Sequence, residues 1–228
     1  MCQVTVRDVL RRLEELAPPA YAESWDNVGL LVESEGPVTG ILTVLDITDA
    51  AVEEAIEKGC NLIVAHHPVI FRPVKALHYN NVIYKMARNG LSAICMHTNL
   101  DCAAGGTGDT LAALLGLRDV QTYTVDGDER LGRVGCLPQP LTMPQLAALC
   151  RDTLDTPVRY VESGRPVSRV AIVTGSGDYV EDALAAGADA LVTGEVGYHK
   201  AMDAAAAGLG VVEVGHYGTE APIAAVLM

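Results

Sequence analysis

Four of the six histidines in this chain stand at the ends of apolar runs. Asn61-Leu-Ile-Val-Ala65 has the length and β-branched content of a buried strand; it ends in His66 and His67, and Pro68 closes it because proline cannot donate to a ladder. Leu91-Ser-Ala-Ile-Cys-Met96 runs into His97-Thr-Asn-Leu-Asp101, and Val211-Val-Glu-Val-Gly215 runs into His216-Tyr-Gly-Thr-Glu220. Taken alone, the His66-His67 pair is equally well a pair of loop histidines. The recurrence of histidine and carboxylate at strand ends points instead to metal. Imidazole with carboxylate and no thiolate pair suits Zn, Fe, Mn, Co or Ni and argues against a structural zinc finger. If His66 and His67 stay extended, their side chains point to opposite sides, which suits two neighbouring divalent ions per chain better than one. Glu220 stands just before Ala221-Pro-Ile-Ala-Ala-Val, which reads as a helix start. A carboxylate there is favoured by the helix N-terminus and has two oxygens with which to bridge ions.

The elements that position these residues follow from periodicity and punctuation. Thr5-Val-Arg-Asp8 is a capping box for a helix whose Val6, Val9, Leu10, Leu13 and Leu16 recur at helical spacing until Pro18-Pro19. Ala22 to Leu31 reads as a turn leading into a strand, with Asp26 either in an Asx-turn or lining a pocket. Ile41–Ile47 is a strand, Asp49–Lys58 a helix capped by Gly59, and Val82–Asn89 a helix closed by Gly90. Further on, the pattern gives helices at Thr107–Leu117 and Pro144–Leu154 and strands at Leu131–Cys136, Pro157–Val161 and Ala190–Thr193. Ser163-Gly-Arg-Pro166 is the best linker candidate.

The chain also repeats itself. Residues 52–64 align with 180–192 at a constant offset of 128: Val52 meets Val180, Glu53 meets Glu181, Ala55 meets Ala183, Gly59 meets Gly187 and Val64 meets Val192. On this offset Glu195 takes the place of His67, and His-x-x-x-Asp in the first half answers His-x-x-x-Glu in the second. The expected fold is therefore α/β, with two similar, intertwined halves and the metal site in the cleft between them. The first half is 1–125, the second is 165–228, and a strand-helix-strand segment at 126–164 intervenes.

Composition bounds the function. A chain of 228 residues that is 50% hydrophobic can bury a sizeable core. The net charge of −13 argues against sequence-independent binding to nucleic acid or an anionic membrane. No apolar run reaches spanning length, Met-Cys-Gln-Val-Thr lacks the layout of a signal peptide, and the expected location is cytoplasmic. Cysteines at 2, 60, 95, 102, 136 and 150 form no C-x-x-C pair, so reduced buried thiols are expected.

The motifs together resemble the dinuclear-metal-centre family of GTP cyclohydrolase I type 2 homologues, also called Nif-three-like. The resemblance covers nearly the whole chain and rests on Trp-Asp-Asn-Val-Gly-Leu at 25–30, His-His-Pro at 66–68, His-Thr-Asn-Leu-Asp at 97–101, Gly-Glu at 194–195 and Gly-His-Tyr-Gly-Thr-Glu at 215–220. It implies His67 and Asp101 on one ion, His66 and His216 on the other, and Glu220 bridging both. It places His97 and His199 beside the site as proton-transfer or supporting residues, the catalytic candidates here. It also implies a homo-oligomer, commonly a hexamer. One departure is that the chain stops at Met228, eight residues after Glu220, where related sequences continue through a longer helix.

The expected function is metal-dependent hydrolysis of a C–N or phosphoester bond in a small, nucleotide-like substrate. The alternative is a non-catalytic metal-binding regulatory or scaffold protein. GTP itself is the weaker expectation for the substrate, because no G-x-x-x-x-G-K-[ST] loop is present and Gly105-Gly-Thr-Gly-Asp109 lacks the lysine.

Overall fold

The computed structural model describes residues 3–228, so Cys2 lies outside the described residues. The chain forms two compact units. One runs to Ala104 and takes up Ile223–Met228; the other is Gly105–Pro222.

The first unit opens with α1 (Val6–Leu16), whose capping box between Thr5 and Asp8 is formed as the sequence indicates. Then come β1 (Gly29–Val32), β2 (Ile41–Val44), α2 (Asp49–Glu57), β3 (Leu62–Ala65), α3 (Val82–Arg88), β4 (Ser92–Cys95) and α4 (Thr98–Cys102). The sheet order is β1-β4-β3-β2, with β2, β3 and β4 parallel and β1 antiparallel on β4. Every residue of β3 and β4 is buried, which is why these strands read as unbroken apolar runs and not as alternation. Val6, Leu13, Leu62, Val64, Ile94 and Leu100 pack on one face. Val52, Ala55, Ile63, Met86 and Ala93 pack on the other.

The second unit contains α5 (Thr107–Leu114), β5 (Arg118–Val125), β6 (Asp128–Leu141), α6 (Met143–Leu154), β7 (Arg159–Val161), β8 (Val167–Ser176), α7 (Val180–Ala185), β9 (Ala190–Glu195), α8 (Tyr198–Ala207), β10 (Gly210–Glu213) and α9 (His216–Glu220). The short α10 (Ile223–Val226) returns to the first unit, where Ile223 joins the α1 face of its core. The second sheet is also mixed, in the order β5-β6-β8-β9-β10-β7. The segment 126–164 supplies β6 and β7 to this sheet, with α6 between them, and Ser163-Gly-Arg-Pro166 is the turn between β7 and β8. The break between units falls at Ala104/Gly105, within the stretch 1–125 that the repeat grouped together.

Strand β5 has no apolar run to announce it. Six of its eight residues are exposed, and it is held by a hairpin to β6 through Asp126 and Gly127, both at positive φ, the backbone of a tight Asp-Gly turn. The two sheets share a frame: β2-α2-β3-α3-β4 with β1 against β4 matches β8-α7-β9-α8-β10 with β7 against β10. The repeat is therefore structural as well as sequential. Among the described residues no helix is long and apolar enough to cross a membrane. The five described cysteines are free; Cys95, Cys102 and Cys150 are buried, whereas Cys60 and Cys136 are partly exposed.

Candidate metal centre

Parallel pairing brings the C-terminal ends of β2, β3 and β4 to one edge of the first sheet. Register matches Val44 with Ala65 and Ala65 with Cys95, so two residues on Asp46, His67 and His97 lie in one row. The backbone bends at His66 and His67 instead of staying extended, and this overturns the expectation of diverging side chains. Their ring centroids are 5.1 Å apart, and His97 lies 5.2 Å from His66 and 5.6 Å from His67. Ligating nitrogens of His66, His67 and His97 come within 4.8 Å of one another, the spacing of a group able to hold an ion.

Each imidazole in this group is oriented through Nδ1. His66, fully buried, has Nδ1 2.8 Å from the Met96 carbonyl oxygen. His67 has Nδ1 2.8 Å from Asp46 Oδ1, and His97 has Nδ1 2.8 Å from Asp26 Oδ1. A carbonyl or carboxylate can only accept, so Nδ1 carries the hydrogen in all three and Nε2 carries the lone pair. This is the arrangement that fixes metal-ligating histidines, with a carboxylate or carbonyl behind each ring. The donor set therefore fits a first-row divalent ion. Asp101, buried on α4, places Oδ1 3.6 Å from His66 Nε2.

Two supporting groups set the electrostatics. Burial works to raise the Asp26 carboxyl, but hydrogen bonds from His97 and Thr98 outweigh it and hold the group down at about 2. Asp26 is thus a standing carboxylate that accepts from His97 Nδ1 and from Thr98 Oγ1 at 2.5 Å. Burial, and then the charges of Asp26 and Asp101, push the Cys95 thiol up, and its Sγ–H donates to the His66 carbonyl at 3.1 Å.

In the second unit His216 and Glu220 lie one turn apart on α9, with His216 Nε2 3.1 Å from Glu220 Oε2. Glu195, at the end of β9, has Oε2 3.6 Å from His216 Nδ1. Glu220 is buried and is the last residue of α9. The helix expected after it is present as α10 but begins three residues later, so Glu220 lies at the C-terminal end of one helix and outside the first turn of the next, and the helix-start argument for its charge does not hold. What seats it is glycine. A Cβ on Gly175 would lie 2.5 Å from Glu220 Oε1, so the carboxylate occupies space that any side chain at 175 would fill. His199 is exposed on α8, its ring 5.4 Å from that of Tyr198, and it belongs to no potential metal group among the described residues.

The two histidine-carboxylate pairs are not equivalent in the repeat. Helices α4 and α9 both follow their strands after two residues, but His97 is the residue before α4 whereas His216 is the first residue of α9. His97 thus corresponds to Gly215, and Asp101 to Thr219. In the sequence Asp26 fits either an Asx-turn or a pocket lining, and Asp46 carries no motif. Its signal was its place at the end of the strand beside β3, in register with His67.

Fold and donor set define an α/β protein of two mixed sheets with a histidine-rich candidate metal centre. The chain belongs to the Duf34/NIF3 (NGG1p interacting factor 3) family, whose pattern matches residues 4–228. It is 33% identical over 229 residues to the GTP cyclohydrolase 1 type 2 homolog of Clostridium perfringens, across 96% of this chain and 87% of that protein. Among solved structures it is similar to a Staphylococcus aureus hypothetical protein, with TM-score 0.89 and 33% identity over 96% of this chain and 88% of that one. A Bacillus cereus protein related to NIF3 has TM-score 0.89 at 25% identity, over 96% and 90% of the two chains.

Proposed function

We propose that this protein binds two divalent metal ions and uses them to hydrolyse a C–N or phosphoester bond in a small substrate. The ligands are His67 and Asp101 on one ion, His66 and His216 on the other, and Glu220 shared between them. The observation that carries this reading is the set of three imidazoles, each held through Nδ1 by a carbonyl or carboxylate and each presenting Nε2. Bound divalent ions supply Lewis acidity and bring the pKa of water toward neutrality. His97 takes the part of a proton carrier at Nε2, because Asp26 holds its Nδ1 and leaves Nε2 as the free ring nitrogen. His199 is a weaker candidate for that part, given its exposed place on α8.

Elemental analysis of the purified chain tests the proposal. It is expected to return about two ions per chain, and Glu220→Gln is expected to lower both metal content and turnover on a phosphoester and cyclic-amide panel. A chain that holds no metal, or a Glu220→Gln variant unchanged in both, would overturn it. Metal without turnover would transfer the site to a sensing or scaffold role. The resemblance extends the proposal to a homohexamer, which sedimentation of the metal-loaded chain tests.

A further inference from the structure

Charge is unevenly placed along this chain. Residues 58–100 contain no Asp or Glu but five Lys and Arg, within a protein of net charge −13. Two of the five are accounted for, since Lys58 pairs with Glu54 and Lys85 with Asp49. Arg72 and Lys75 are exposed on the loop that follows His67, and neither makes an ion pair with a described residue. Among the described residues eleven of the sixteen Lys and Arg side chains are in ion pairs, so two unpaired cations three positions apart on one loop stand out.

The same loop carries an aromatic side chain, Phe71, next to Arg72 in the chain. Phe71 is 5.9 Å from Trp25, and Trp25 is 6.2 Å from His97, so ring contacts run from the loop to the imidazole group. Trp25 remains 58% exposed and Phe71 46%, although large rings normally have most of their surface covered. The loop is tied to the Trp25 segment by Asn27 Nδ2, which donates to the Ile70 carbonyl at 2.5 Å. Exposed rings beside cations accept a planar group by stacking and an anion by charge-assisted hydrogen bonds.

We propose that Trp25, Phe71, Arg72 and Lys75 form a substrate subsite beside the imidazole group that takes a small organic phosphate carrying a planar ring. The proposal deepens the metal-centre reading and rests on it for the chemistry that follows binding. A membrane surface is the less suitable occupant. The rings here run from Phe71 through Trp25 to His97, so a molecule stacked on them lies toward the imidazole group and not toward a surface.

The chain contains a single tryptophan, so intrinsic fluorescence reports on this subsite directly. Adenosine monophosphate, adenosine and ribose 5-phosphate are titrated into the full chain, with metal content measured in each sample and calorimetry giving the affinities. The monophosphate is expected to change Trp25 emission and to bind about tenfold tighter than either fragment, the scale of one charge-assisted contact. Arg72→Ala with Lys75→Ala should remove that advantage and leave metal content unchanged. Phe71→Ala should weaken adenosine as well. Equal affinity for the three probes, no binding, or an affinity indifferent to the double substitution would overturn the subsite. So would binding to phosphatidylserine vesicles in place of the nucleotide. A chain without metal that still binds the monophosphate through Arg72 and Lys75 upholds the subsite and removes the metal reading. A two-metal chain that ignores the monophosphate does the reverse.

Discussion

The two units build the same sheet motif and load it differently. Where β3 ends in His66 and His67, β9 reaches Gly194 and Glu195; where β4 leads into His97, β10 leads into Gly215. The first unit thus fills its strand ends with imidazoles backed by acceptors. The second packs backbone against backbone there and carries its donors on α9. The difference shows that the repeat conserves a scaffold and not a site. A βαβ frame delivers strand ends to one edge, and the side chains mounted there are chosen locally.

The largest expected effect comes from forcing the second unit to resemble the first. A Cβ at Gly194 would lie 2.3 Å from the Gly175 carbonyl oxygen and 2.9 Å from His216 Cα, both backbone atoms. Between Val173 and Ser176 the β8 register shifts, and Gly175 at φ +67 turns its carbonyl onto Gly194. No such shift occurs between β2 and β3, where the buried His66 side chain is accommodated. Gly194→Ala is expected to destabilise by about 3 kcal/mol, the upper end for overpacking, read as a fall in the denaturation midpoint. A variant with wild-type stability would mean that the two strand ends are interchangeable after all.

Much of this comparison was visible in the sequence. The offset of 128 places Gly59 on Gly187 and β3 on β9, and both glycines are the left-handed residue closing a helix, as their position before an apolar run indicates. The histidines at strand ends were legible because an apolar run has few ways to end in a polar residue. What escaped was set by pairing at long range. Asp46 is one aspartate among many until β2 lies beside β3. β5 is polar, so it carries no apolar periodic signal. The one-residue displacement between the pairs on α4 and α9 is silent in sequence, because both share the spacing His-x-x-x-carboxylate. Only the counts from strand to helix reveal it.

Gly59 and Gly187 give the next test, with an effect of intermediate size. Both have φ +70, and a Cβ on either would meet no atom within 4 Å, so the cost of alanine is the left-handed backbone alone. Gly59→Ala and Gly187→Ala are each expected to cost about 1 to 2 kcal/mol, and to agree within about 0.5 kcal/mol. Unequal losses would mean that the shared frame hides different strain in the two units.

The smallest effect is at the helix that follows the first strand of each motif. Thr48 caps α2, its side chain accepting from the Ala51 N–H at 3.2 Å. Tyr179 holds the same place before α7 and makes no side-chain cap; that helix instead has Glu181 and Asp182 in its first turn. Thr48→Ala is expected to cost about 1 kcal/mol, a fall of about 2–4 °C in Tm for a chain of this size. Asp182→Asn in the second unit is expected to cost only about 0.5 kcal/mol, because Asp182 acts on the helix terminus through its charge. Its one long contact, from the Asp126 N–H at 3.5 Å, lies outside the helix, and an amide oxygen can still accept it. Added salt should erode the Asp182 contribution and leave that of Thr48 in place, since screening acts on a charge and not on a hydroxyl hydrogen bond. Equal salt dependence of the two would mean that α2 and α7 are started by the same means, contrary to the contacts each one makes.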